Sequence, residues 1–276
     1  MKSNPFFMNQ QKKFSPVKVR LIPLDGTQNR SQILKKIEIS SSFNMKYKAL
    51  FEYYGDDLIE YKKLDLDNKQ RNDFLRIFSS YLTDFLEDTM PTSWKKCSTS
   101  FLKQLCYLYL PSTVQISQNK NHITLFLEEF RHFATWLDKK ENTKWMEFID
   151  KHLTTLQTLQ TCEDLHHTLF LQLYPTYLHS TRNDQKHMEK VKQLLNQCQE
   201  VEDGLFQIRA INTQTVSISN IFTNRIYDIH STEIQEKHLG IILDVSIGIY
   251  KNHSTWTILV PLGIYPKEAK SCFTNL

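Results

Sequence analysis

At 276 residues the chain is long enough to bury one large core or two modest ones. Its 40% hydrophobic and 23% charged residues are ordinary for a soluble globular protein, and no apolar run approaches the roughly 20 residues that span a bilayer. The net charge of +4 is unevenly spread: residues 1–50 carry ten Lys/Arg against two Asp/Glu, residues 51–90 carry five against ten, and residues 203–276 balance six against six.

In chain order, residues 1–16 read as a disordered arm, rich in Asn, Gln and Lys. Val17 to Pro23 alternates Val17, Val19 and Leu21 against Lys18 and Arg20, the pattern of a half-buried strand. Asp25-Gly26 is a turn signal, and Ile33 to Ile39 would return the chain as the second strand of a short hairpin. Between Gly55 and Gly204 there is no glycine, and the apolar spacing is helical. Phe74, Ile77, Phe78, Tyr81, Leu82 and Phe85 make one stripe over Asn68 to Asp88. Ser98 to Leu110 forms a second helix that stops at Pro111. Ser117 is positioned to cap a helix to Lys140; another runs from about Asn142 into Leu171, ending near Pro175, and a last from Asn183 to Val201. Short links between these helices indicate a compact bundle.

After Gly204 the period changes to two. Phe206, Ile208 and Ala210, then Val216 and Ile218, then Arg225 to His230, then Leu243 to Ile249, then Trp256 to Val260 read as five short strands, with a longer link at Ser231 to Leu239. A small barrel or strongly bent sheet accommodates them. The expected fold is therefore α+β: residues 17–202 a mainly helical domain with an N-terminal hairpin, and residues 203–276 a small five-stranded β-barrel-like domain.

The runs DGLFQIRAINTQTVSISNIFTNRIYDI, LGIILDVSIGIY and STWTILVPLGIYP resemble a small β module found in a bacterial family of uncharacterised proteins. Asn220 to Asn224 stands at that module's usual turn, and Leu239 to Ile242 at its Gly-Asp position. Trp94, Phe101, Leu102, Phe130, Trp136 and Leu137 are similar to the family's helical half. Some members end in a zinc-binding SEC-C motif, which is absent here, where Cys272 stands alone near the end. The resemblance implies an architecture of helical body and β module, and no activity.

The five cysteines (Cys97, Cys106, Cys162, Cys198 and Cys272) are scattered and contain no CxxC. Free thiols in a reducing compartment fit this better than a disulfide framework, and a cytoplasmic location is expected. Two Glu-x-x-His pairs, Glu129 with His132 and Glu163 with His166, place both partners on one helix face, the half-motif of carboxylate-bridged metal sites. Cys162 lies four residues before His166 and could supply half of a metal site. Solvated surface residues and, for Cys162, a small buried side chain account for these five better than a metal site does, and no cofactor is expected. There is no GxSxG, Walker A, GxGxxG or HExxH pattern, which speaks against the large enzyme classes.

The basic start has two readings. It can fold onto the acidic segment that follows, or Lys12, Lys13, Lys18, Arg20, Lys35 and Lys36 can meet a nucleic acid. The balanced charge of the β module gives it no electrostatic footprint for phosphate, although Tyr227, Tyr250, Trp256 and Tyr265 are candidate stacking platforms. The expected role is non-catalytic binding or regulation, with another protein as partner and no membrane. The helical body would offer a groove and the β module would dock. Nucleic-acid association and a metal-dependent enzyme are the alternatives.

Overall fold

The computed structural model describes residues 30–114, 116–117, 121–179, 184–213 and 215–274. The strand expected at Val17 to Pro23 and the arm at residues 1–16 lie outside these. Its proposed hairpin partner is not a strand: Ile33 to Ile39 falls within helix α1 (Arg30–Ser41). Ile37 and Ile39 fit period two, but Ile33 and Ile37 are also one helical turn apart, so the spacing alone admits both, and the chain here is helical with Ile37 and Ile39 partly buried against the core. Serine hydroxyls at Ser40, Ser41 and Ser42 turn back onto the carbonyls of Ile37 and Ile39 and end it.

A 3-10 turn, Tyr47–Leu50, leads into α2 (Gly55–Lys63). A Cβ on Gly55 would lie 1.6 Å from the Ala49 carbonyl oxygen, so only glycine lets the two turns approach this closely. Helix α3 (Lys69–Ser80) is capped by Asn68, whose side chain accepts from the Arg71 N–H at 2.9 Å. The apolar stripe continues past its end through a π-turn at Tyr81–Phe85. Ser98 caps α4 (Thr99–Lys103), a second π-turn follows at Gln104–Tyr109, and the helical run continues through α5 (Leu110–Thr113), with Pro111 directly after the π-turn. Pro111 thus does not end the helix as expected.

Helix α6 (His122–Glu141) crosses the body and packs its Phe126, Phe130 and Phe133 against Phe74 and Phe78 of α3. Trp94 and Trp145, 5.5 Å apart, close this aromatic cluster. The helix expected from Asn142 to Leu171 is two helices, α7 (Trp145–Lys151) and α8 (Leu153–Leu173), broken at His152. The His152 ring lies 4.6 Å from that of Phe148, and its Nδ1 is 3.0 Å from the Tyr107 hydroxyl, which holds the break in place. Helix α9 (Asp184–Gln197) runs directly into the first strand.

Five strands follow: β1 (Cys198–Ile211), β2 (Thr215–Asn220), β3 (Ile226–His230), β4 (Ile242–Tyr250) and β5 (Thr257–Tyr265), before a short terminal helix α10 (Lys270–Phe273). They form one antiparallel sheet of order β3-β2-β1-β4-β5. The long first strand pairs with β4 through Cys198 to Gln207 and with β2 through Phe206 to Ile211, with a bulge between Ile208 and Ala210.

The expected barrel is not formed, because the sheet stays open. Its two edges meet at one isolated bridge, where Trp256 donates its N–H to the Asp228 carbonyl at 2.8 Å and accepts from His230 N–H at 2.9 Å. One bridge cannot replace a ladder of hydrogen bonds. Instead, α8 lends Cys162, Leu165 and Leu169 to the sheet's own core. In the other direction Leu205, Ile221, Ile242 and Tyr265 of the sheet region join the core of the helical body.

Candidate functional site

The residues singled out by the Glu-x-x-His spacing are engaged in holding the fold. Glu129 is buried and accepts from the Tyr61 hydroxyl at 2.6 Å and from Arg71 Nε at 2.7 Å. Arg71 also stands over the Tyr61 ring, 4.3 Å from its centroid. Burial opposes the Glu129 charge, but these hydrogen bonds and the guanidinium prevail and hold its carboxyl below the usual range. His132 projects outward, 3.5 Å from the second Glu129 oxygen.

Glu163 does something different. Its two oxygens accept from the backbone N–H groups of His122 and Ile123, at 3.1 and 3.2 Å, and so cap α6 from a distant helix. That is why Ser117 is not needed as the cap; its hydroxyl instead meets His122 Nε2 at 2.6 Å. His166 lies against the Pro261 backbone, where burial lowers its pKa to about 4. Cys162 packs in the sheet core, and burial pushes its thiol up. Among the described residues no group of three or more His, Cys, Asp or Glu side chains gathers at metal-binding spacing.

The basic segment folds partly onto its acidic neighbour. Lys36 pairs with Asp56 at 2.7 Å, Lys46 pairs with Asp84, and Lys48 donates to the Thr83 carbonyl at 2.7 Å. Lys35 is exposed on α1, and Lys12, Lys13, Lys18 and Arg20 lie outside the described residues. Of the possible stacking platforms, Tyr227, Trp256 and Tyr265 are buried. Tyr227 packs edge-on against both Phe206 and Trp256.

The break at His152 creates a site that the periodicity hides. Around the α7–α8 break, residues of α6, α7 and α8 line a groove of about 290 Å³. Leu127, Phe130, Ile149, Leu153 and Leu156 line it. Polar bridges close it at two points. Thr124 donates to Gln160 Oε1 at 2.6 Å, joining α6 to α8, and Arg131 pairs with Asp150 at 2.7 Å, joining α6 to α7. Between them the surface is apolar, and Leu153 stands on the lip 45% exposed. Leu153 adjoins the other apolar side chains of this depression instead of standing singly on the surface. Sequence reasoning passed over these residues because an unbroken helix from Asn142 would have packed Leu153 and Leu156 on one continuous stripe.

Comparison with protein-family models, with curated proteins and with solved structures finds no match to this chain. No helix among the described residues is long and apolar enough to cross a membrane.

Proposed function

We propose that this is a non-catalytic binding protein whose helical body takes a large apolar side chain of another protein into the groove between α6, α7 and α8. The observation that carries this reading is the apolar depression bounded by the Thr124–Gln160 and Arg131–Asp150 bridges with Leu153 at its lip. A pocket of this kind suits a single anchor residue surrounded by a polar rim. The occupant is an amphipathic helical segment, because such segments present one apolar residue flanked by polar ones to a groove between helices. The carboxylate of Glu128 and the guanidinium of Arg131 on the same rim match mixed charges on the partner's flanks.

A photo-crosslinking residue placed at Leu153 tests this in cells, with the same residue at Leu64, which is 61% exposed away from the groove, as the control. A discrete protein adduct from position 153 alone supports the reading. Once that partner is purified, Leu153→Glu should weaken its binding at least about tenfold, the range of a modest interface anchor. Equal adducts from both positions, none from either, or an adduct to nucleic acid overturns it.

A further inference from the structure

Strand β1 is longer than its neighbour on one side. It pairs with β4 from Cys198 to Gln207, but β2 covers only Phe206 to Ile211. The first half of β1 therefore has one edge without a partner strand among the described residues. The hydrogen bonds show which groups lie on that edge. Ile221 donates its N–H to the Leu205 carbonyl on the β2 side, and Ile208 donates to the Ile241 carbonyl on the β4 side. Backbone groups of an antiparallel strand alternate between its two sides. Val201 and Asp203 therefore turn their N–H and C=O groups away from β4, as Leu205 does. Both residues are exposed, Val201 to 38%, so no side chain roofs the edge. Unpaired groups in this array are a template for one more strand.

Charge decides what can occupy it. Residues 198–204 hold Glu200, Glu202 and Asp203 and no Lys or Arg. Side chains alternate between faces, so Glu200 and Glu202 lie on one face and Val201 and Asp203 on the other. Arg225 meets Glu200 and Glu202 at 3.5 and 3.4 Å, one guanidinium shared by two carboxylates. Asp203 has no basic partner among the described residues, and Asp244, whose Oδ1 is also unpartnered, stands beside it. The edge is thus acidic beyond what Arg225 neutralises. A second copy of this chain placed edge to edge would set like charges against one another, which opposes self-pairing. We infer that this edge of β1 takes, by strand addition, an extended lysine- or arginine-bearing segment of another protein. Whichever face its basic side chains occupy, they meet carboxylates: Glu200 and Glu202 on one, Asp203 on the other. The surface lies on the sheet and is independent of the groove between α6, α7 and α8.

The probe is a capped seven-residue peptide of alternating lysine and valine, with glutamate in place of lysine as the control. Each is titrated into the full chain at low ionic strength while the amide resonances of Val201 and Asp203 are followed. Saturable shifts and slowed exchange of those two amides are expected with the lysine peptide, and at least about tenfold weaker binding of the glutamate peptide. Val201→Pro removes an outward N–H that β4 does not use, at an edge position that tolerates proline, so it should abolish the response without lowering the thermal midpoint. Asp203→Lys, at an exposed position, should weaken binding of the lysine peptide at least about tenfold, and it alone decides if Val201→Pro lowers the midpoint. Equal binding of the two peptides, shifts mapping to other residues, no saturable response, or undiminished binding by a folded variant overturns the inference. So does slow exchange of both amides in the free chain, which would mean that the chain itself or a second copy already fills the edge.

Discussion

The helical body and the sheet treat buried charge in opposite ways. In the body, Glu129 is met by Tyr61, Arg71 and His132, and the fully buried Lys62 donates to the carbonyls of Asp65 and Asn68 at 3.0 and 3.1 Å. Asp138 caps α7 by accepting from the N–H groups of Trp145 and Met146 at 2.9 and 3.0 Å. In the sheet, Asp244 sits half-buried on β4 with Oδ1 lacking a hydrogen-bond partner and Asp203 nearby. Partnered buried charges are expensive to disturb, whereas an unpartnered one strains the fold that contains it. Substitutions should therefore act with opposite sign in the two regions.

The largest effect is expected at Glu129. Replacing it with Ala leaves Arg71, only 11% exposed at its side chain, and the Tyr61 hydroxyl without their acceptor. Loss of one member of a buried charged network costs about 3–5 kcal/mol. Urea unfolding followed by far-UV circular dichroism measures it. A loss below about 1 kcal/mol would show that this network does not hold α2, α3 and α6 together. Lys62→Met comes next. It keeps the buried stem but leaves the Asp65 and Asn68 carbonyls without their ammonium donor. A cost of about 1–3 kcal/mol is expected from those acceptors. If Lys62→Met were instead stabilising, the body would resemble the sheet and the contrast would fail.

How far these features were legible follows the range of the interactions behind them. The aromatic stripe of Phe74 and Phe78 and the β4–β5 hairpin were visible, because periodicity and turn residues are local. The capping of α6 by Glu163 was not, since it joins residues 41 apart in the sequence. Neither was the break at His152, which has no Pro or Gly to announce it and depends on Tyr107 and Phe148. The groove inherits that invisibility. Ile33 to Ile39 misled because its apolar spacing fits both periods and does not choose between them. The sheet's failure to close was equally hidden: five strands can make a barrel, but here α8 covers the apolar face that closure would otherwise bury.

The smallest of these effects, and the one that separates the regions most cleanly, is the pH response of Asp244. Burial first, and then the neighbouring Asp203 charge, raise its pKa from 3.8 to about 7. A carboxyl raised in the folded state works in the reverse sense to a salt-bridged one. Below about pH 4 both folded and unfolded chains hold the proton, and the group costs nothing. Between pH 4 and 7 the folded chain retains a proton that the unfolded chain has released, so stability falls as pH rises; above 7 the full penalty remains. That shift would convert to about 4 kcal/mol, and partial exposure reduces the expected penalty to about 1–2 kcal/mol. Asp244→Asn removes the titration. Its constant offset depends on how the amide packs, but its advantage over the native chain should grow by about 1–2 kcal/mol between pH 4.5 and 8. Paired urea titrations at those two values give the difference directly. An advantage that is the same at both would mean that Asp244 is hydrated and ordinary, and that the sheet carries no unpaired charge to set against the well-partnered charges of the body.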